Sequence, residues 1–198
     1  MTSNGVAGNA TNRLTTATGG TSAAFTIAAG DSAKTIANTI NTIASDIGIV
    51  ATATNAATLS GLANAGNISF TLTGSNALGS AIAASITNTS DLTSLAAAIN
   101  AASSSTGISA SFSNPLVRSN LLLTSNDGSN IKVSTFLNSG GGSLTFGEGP
   151  VEIAGGTLAT TALVSGGNDA SIKTGIVKLN STKGLITVSG GDTTSFAS

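Results

Sequence analysis

Apolar residues recur along this chain at two spacings, and the switch from one to the other occurs twice. Ile36, Ile40, Ile43 and Ile47 follow Ser32, and Leu92, Leu95, Ile99 and Ala102 follow Asp91, both at the three-to-four-residue spacing of a single helix face. Ser32 and Asp91 sit where an N-cap side chain accepts from first-turn N–H groups. Each stripe stops at a glycine, Gly48 or Gly107, where a left-handed residue ends a helix, and Ile49 or Ile108 comes next, placed to fold back on the last turn. Alternation then takes over, through Ile49, Ala51 and Ala53 in one stretch and Ile108, Ala110 and Phe112 in the other. This pattern predicts a half-buried strand.

The two stretches are copies of one unit. "SAKTIANTINTIASDIGIVATATN" (32–55) lies over "DLTSLAAAINAASSSTGISASFSN" (91–114) without a gap, at the 59-residue offset that separates Gly48 from Gly107. Ile40-Asn41 falls on Ile99-Asn100, and Asn55 on Asn114. A solenoid needs at least three copies to bury a continuous core, so two copies predict two supersecondary units side by side. In the second copy "NLLLTSNDGSNIKVSTF" predicts a hairpin, with 121–124 pairing with 131–136 around Asn126-Asp127-Gly128. In the first, "ATLSGLANAGNISFTLTG" predicts a looser equivalent. The expected fold class is α+β: antiparallel β-meanders, each packed by one short helix, in two lobes.

Composition narrows function sharply. Only 8 % of the 198 residues are charged, seven basic against eight acidic, so no field of either sign attracts nucleic acid or an anionic membrane. There is no Cys, His, Trp or Tyr. That removes disulfides, thiolate metal sites, the usual general base near neutral pH and the best stacking platforms. No apolar run approaches the ~18 residues of a membrane span, and Met1 ahead of the polar Thr2-Ser3-Asn4 reads as a start added to an excised piece.

The duplicated unit resembles the flagellin IN repeat, named for its Ile-Asn pair, here Ile40-Asn41 and Ile99-Asn100. Asp91-Leu92-Thr93-Ser94-Leu95, Ala97-Ala98-Ile99-Asn100, Gly107-Ile108 and Asp127-Gly128-Ser129-Asn130-Ile131 carry the motif in the second copy. The first copy matches less fully, with Ser32 in place of Asp and no Asp-Gly pair. "KTGIVKLNSTKGLITVSGGDTTSFA" (173–197) looks like the last hairpin of a flagellin outer domain, 176–180 and 185–189 flanking Ser181-Thr182-Lys183-Gly184. The long heptad helices through which flagellins polymerise are missing, so the chain looks like the surface-exposed middle portion alone. The resemblance implies a nested path: residues 1–66 with 140–198 as an inner, D2-like lobe, and 67–139 as an outer, D3-like lobe, with Gly140 to Gly142 marking the boundary.

Sharper chemical readings are weaker than plain ones. Asn126-Asp127-Gly128-Ser129-Asn130 has oxygens at alternate positions, as a calcium loop does, but lacks the distal bidentate Glu and lies between two strand patterns. Gly140-Gly141-Gly142 and Gly166-Gly167 lack the Gly-Lys-Ser/Thr of a phosphate loop. Glu148 and Glu152 are read as solvent-facing acids on a hairpin between 144–146 and 151–153, not as a glycosidase pair. Asn9, Asn67, Asn88 and Asn180 begin N-glycosylation patterns, which arise by chance in so Asn- and Thr-rich a chain. No catalytic, cofactor or metal residue is expected, and the motif residues Ile36, Ile40, Asn41, Gly48, Asp91, Leu95, Ile99, Asn100, Gly107, Asp127 and Gly128 are read as structural.

The resemblance implies a structural, extracellular protein of the bacterial flagellar filament: the variable outer domain of flagellin, presenting an antigenic surface to the medium. Expected partners are neighbouring flagellin subunits and, at the surface, host receptors or glycans, with no nucleic acid and no membrane. The isolated piece is expected to be a monomer. The rival reading is a carbohydrate- or surface-binding, adhesin-like module of a cap or hook-associated protein. That rival normally recruits exposed aromatics, and aromatics here are 3 %, all Phe.

Overall fold

The computed structural model describes residues 11–149 and 160–190. In chain order the elements are β1 (Thr11–Thr16), β2 (Gly20–Thr21), β3 (Phe25–Thr26), α1 (Ala33–Ala44), β4 (Ile49–Ser60), β5 (Gly66–Thr73), β6 (Ser80–Ile86), α2 (Thr93–Ala101), α3 (Ser103–Thr106), β7 (Ser109–Asn114) and β8 (Val117–Ser125). They continue as β9 (Ile131–Asn138), β10 (Ser143–Glu148), β11 (Thr160–Val164), β12 (Ser171–Lys173), β13 (Ile176–Ser181) and β14 (Ile186–Gly190). The fold is α+β and rich in strand, and the strand pairs are antiparallel. Residues 150–159, including Glu152 and the second strand of its expected hairpin, lie outside the described residues, as does Asn9.

Three sheets result. One is β14-β1 with β2 and β3 beside β1, the second is β11-β10-β4-β8-β7 with β13 also on β4, and the third is β12-β9-β5-β6. Each helix packs on the strand that follows it, α1 on β4 and α2 on β7, and α2 also lies against β6. The stripes point inward as their spacing requires: Ile40, Leu92, Leu95 and Ile99 are fully buried, Ile36 and Ile47 nearly so, and Ile43 and Ala102 partly.

Three of the four expected hairpins lie wholly among the described residues, and none of the three is a hairpin. Strand β8 pairs with β4 and β7, while β9, just past Asp127-Gly128, pairs with β5 and β12. Likewise β13 pairs with β4 and β14 with β1, and β4 and β5 lie in different sheets. Each turn is therefore an arch that carries the chain from one sheet to another. The physical reason is that Leu121 and Leu123 on one side, and Ile131 and Val133 on the other, are all fully buried. Two strands with greasy faces are covered best by facing each other across a core, which sideways pairing does not achieve.

The arches show how the copies are nested. Unit one comprises β1, β3, α1, the first half of β4, β13 and β14. Unit two comprises β5, β6, α2, β7, β8 and β9, inserted within it. The copies diverge at one place. Strand β4 runs on through Asn55 and Ala56, whereas at the equivalent Asn114 the chain meets Pro115 and turns, with the Asn114 Oδ1 accepting from Leu116 N at 2.9 Å. Proline cannot donate to a ladder, so β7 ends and β8 returns along it.

Two apolar clusters follow. One gathers Leu14, Phe25, Ile27, Ile36, Ile40 and Ile49 with Val177, Leu179 and Ile186, and the other runs from Ala57 to Leu163 through Phe70, Leu95, Ile99 and Phe136. They part within β4, between Ala53 and Ala57. Gly140 to Gly142 is a turn between β9 and β10, and Phe136 before it and Leu144 and Phe146 after it share the larger cluster.

Because Ile40 and Ile99 are each wholly enclosed in a different cluster, Ile40→Ala and Ile99→Ala are each expected to cost about 2–5 kcal/mol. Urea unfolding of the two variants against the parent measures this, and a midpoint unmoved by either would contradict the packing described.

Candidate functional site

The asparagine of each Ile-Asn pair makes the same contact. Asn41 donates through Nδ2 to the Ala51 carbonyl at 2.9 Å, and its Oδ1 accepts from Ala51 N at 2.8 Å. Asn100 does the same to Ala110, at 2.9 and 2.8 Å. One primary amide thus takes both polar groups of one strand residue, as a neighbouring strand does in a ladder. Asn41 is half-buried and Asn100 exposed, while the alanines they hold are nearly buried.

The helix ends are also duplicated. Gly48 and Gly107 have φ of +78° and +70°, the left-handed region that only glycine enters freely, and their N–H groups donate to Ser45 and Ser103 carbonyls. A hydroxyl then closes the last turn: Thr16 Oγ1 donates to Ile47 O, and Ser75 Oγ to Thr106 O, both at 3.1 Å. Thr16 and Ser75 are also 59 residues apart, outside the stretches that pattern alone aligns. At the helix starts the copies differ. Ser32 is the N-cap and its Oγ accepts from Thr35 N at 3.1 Å, whereas Leu92, not Asp91, precedes the first helical residue of α2. The Asp91 carboxylate accepts instead from the Thr93 N–H and hydroxyl, which, with Arg118 nearby, hold it below its ordinary pKa.

Asp127 joins the two copies. Its carboxylate takes the Lys34 ammonium at 2.7 Å, the Ser125 hydroxyl at 2.8 Å and the Ser129 N–H at 2.9 Å. Gly128, at φ +75°, accepts from Lys34 N at 3.1 Å through its carbonyl, and a Cβ there would run into Ala53. Asn130 Nδ2 reaches the Gly30 carbonyl at 3.2 Å, and the buried Asn55 donates to the carbonyls of Ser129 and Lys173 at 2.9 Å each. The arch of unit two is thereby seated on the start of α1 in unit one. Partial burial pushes the Asp127 carboxyl up, but the Lys34 ammonium, the Ser129 N–H and the serine hydroxyls outweigh it and hold the pKa well below the usual carboxylate range.

A shallow groove of about 370 Å³ lies over this junction, lined by Asp31, Ser32, Lys34, Ser129 and Asn130 among others. It offers one acid, one ammonium and several hydroxyls and amides, with Lys34 engaged by Asp127. Among the described residues no three His, Cys, Asp or Glu side chains converge, and no helix is long and apolar enough to cross a membrane. Lys173, 2 % exposed, sets its Nζ 5.6 Å from the Phe146 ring centroid, a cation–π distance. Nothing in the apolar pattern marks that lysine, Lys34 or Asn55, because each is defined by a contact distant in sequence.

Removing either clamp strips a partner from two backbone groups. Asn41→Ala and Asn100→Ala are each expected to lower stability by about 1–2 kcal/mol, read from chemical denaturation. A depressed carboxylate contributes stability above its unfolded pKa, here near the ordinary 3.8, and loses it as pH falls further. The Lys34 and Asp127 side chains are 43 % and 38 % exposed, so solvent discounts the pair to about 1 kcal/mol. Asp127→Asn should lie that far below the parent at pH 7 and converge with it as pH drops below 4; parallel curves would assign the Asp127 contacts no role.

The family profile of the flagellin hook IN motif matches residues 69–127, from β5 through β6, α2, β7 and β8 to Asp127. It therefore covers most of unit two, and stops at the residue that ties unit two to unit one. No curated protein matches the chain. Flagellins are structural proteins that assemble with other flagellin subunits into the extracellular flagellar filament. Residues 69–127 are thus similar to the flagellin hook IN motif, the repeat that the Ile-Asn pair and the Asn100 clamp on Ala110 belong to.

Proposed function

We propose that this chain is the outward-facing, variable domain of a bacterial flagellin, a spike whose work is to pack and to present a surface. The observation that carries the reading is the nesting of one IN unit inside another, with the chain entering and leaving on neighbouring strands: Asn12 of β1 pairs with Gly190 of β14. A segment whose ends emerge side by side can project from a longer chain without disturbing it. In this reading the inner, D2-like lobe is unit one, 11–54 with 176–190, and the outer, D3-like lobe is 55–173, which shifts the expected borders at 66 and 140 to where the apolar clusters part.

The surface supports the same reading. With 8 % of residues charged, solubility rests on threonine, serine and asparagine, and spikes crowded together repel one another little. The exposed face of β1 and its neighbours illustrates it: Thr15 stands opposite Thr21 on one side and Thr187 on the other, and the hydroxyls of Thr15 and Thr21 meet at 3.0 Å. Host receptors and glycans are candidate partners of this face, and Asn67, Asn88 and Asn180 are exposed if glycosylation occurs.

Deleting residues 11–190 from the parent gene tests the proposal. The expected outcome is filaments that still assemble and rotate but are thinner by electron microscopy and lose reactivity to antisera against this chain. Loss of filament assembly itself would place the segment in the polymerising core and overturn the reading.

A further inference from the structure

The seat of unit two on unit one demands a chemically labile pair of residues. Position 128 must be glycine, because its φ is +75° and a Cβ there would run into Ala53. Position 127 must be a short acid, because one carboxylate accepts from the Lys34 ammonium at 2.7 Å, the Ser125 hydroxyl at 2.8 Å and the Ser129 N–H at 2.9 Å. Aspartate followed by glycine is the sequence in which a backbone amide closes most readily on the preceding side chain, since no Cβ on the second residue blocks the approach. Asp127-Gly128 is the only such pair in the chain; Asp31, Asp46, Asp91, Asp169 and Asp192 precede Ser, Ile, Leu, Ala and Thr. The matching arch of unit one carries Lys183-Gly184 and has no such chemistry.

The contacts that require this pair also restrain it. Both carboxylate oxygens are engaged, Oδ2 by Lys34 and Oδ1 by Ser125 and Ser129. The Gly128 N–H donates to the Ser125 carbonyl at 3.3 Å, and the Gly128 carbonyl accepts from Lys34 N at 3.1 Å. Neither the side chain nor the amide is free to turn toward the other while the arch sits on α1. Partial burial opposes ionisation of the carboxyl, but the Lys34 ammonium and the other donors outweigh it and keep the group a carboxylate, which is a poor target for an attacking nitrogen.

We infer that Asp127 is a site of spontaneous isomerisation to isoaspartate, and that the seating of the arch on α1 sets its rate. When local opening lifts the arch from Lys34, the Gly128 nitrogen attacks Cγ of the small protonated fraction of the carboxyl. A Cγ–N bond forms, the hydroxyl leaves as water with the amide proton, and a five-membered succinimide results. Water then adds to one of the two ring carbonyls. Addition at Cγ breaks the new bond and restores aspartate, whereas addition at the main-chain carbonyl breaks the original peptide bond and leaves the chain running through Cβ and Cγ. One water is lost and one regained, so solvent is the only reagent and the mass does not change. In the product the backbone is longer by one methylene and the free carboxylate stands on Cα. Lys34, Ser125 and Ser129 are then no longer met together, and the arch does not reseat.

Peptide mapping of aged protein is the test. Trypsin, cutting after Arg118 and Lys132, releases residues 119–132, in which Asp127 is the sole aspartate, and electron-transfer fragmentation separates isoaspartate from aspartate there. Near neutral pH the parent is expected to gain isoaspartate at 127, at least about tenfold more slowly when folded than in denaturant. Lys34→Met, which keeps the stem and removes the ammonium, should speed the folded-state reaction about fivefold, the scale of a part-exposed ion pair, and Lys34→Arg should keep the parent's rate. Lys34 is 43 % exposed, so the Met variant is expected to fold, which circular dichroism checks; the folded and denatured parent decide the matter if it does not. No isoaspartate at 127 in the denatured parent, equal rates in the folded and denatured parent, or a folded Lys34→Met variant that keeps the parent's rate overturns the inference.

Discussion

The two hydrogen bonds from each Ile-Asn asparagine to the strand ten residues on hold the unit together. A primary amide carries a donor and an acceptor side by side, so Asn41 and Asn100 meet Ala51 and Ala110 as a strand edge would. Adjacent residues of a helix point about 100° apart. The isoleucine can therefore enter the core while its neighbouring asparagine faces the strand, and each contact fixes the rotation that the other requires. A helix packed by isoleucines alone could roll or slide by a turn at modest cost. The amide removes that freedom, and with it any ambiguity about which face of the following strand turns inward.

That clamp explains why so much of the local structure was legible. Helix spacing, the stop at Gly48 and Gly107 and the alternation after Ile49 and Ile108 are all set within about twenty residues, and each is where the apolar pattern places it. The N-cap was half legible: Ser32 caps, while Asp91 holds Thr93 from one position too early because Leu92 is drawn into the core. The arches were misread. Asn126-Asp127-Gly128 specifies that the chain turns, and the turn is present, but a turn does not specify whether its flanking strands lie side by side or face to face. That choice belongs to the partners of Leu121, Leu123, Ile131 and Val133, which are strands β4, β5, β7 and β12.

The candidate site was legible in its motif residues and illegible in its junction. Asp127 and Gly128 stand out in sequence, yet the groups that they and the next two residues engage, Lys34 at Asp127 and Gly128, Asn55 at Ser129 and Gly30 at Asn130, lie 70 to 100 residues away and belong to the other copy. An offset comparison extended sixteen residues towards the N-terminus would have found Thr16 against Ser75. It would not have found Lys34, whose equivalent Thr93 is uncharged. Such differences between otherwise matched positions mark where the copies have ceased to be interchangeable.

The divergence at Pro115 has the largest structural consequence. Without a proline at the equivalent position, β4 continues as a twelve-residue strand that is paired with β13 over its first half and with β8 and β10 over its second. It is one backbone shared by two cores. Separating the lobes along that strand requires sliding whole ladders past one another, so the hydrogen bonds are loaded together, whereas a simple linker would yield by rotating about a few bonds. The arch on α1 adds a short-range contact set off to the side of this spine, at Lys34 and Asp127. A strand through both cores resists extension and a lateral lock resists bending, and the spike proposed above would need resistance to both under fluid drag.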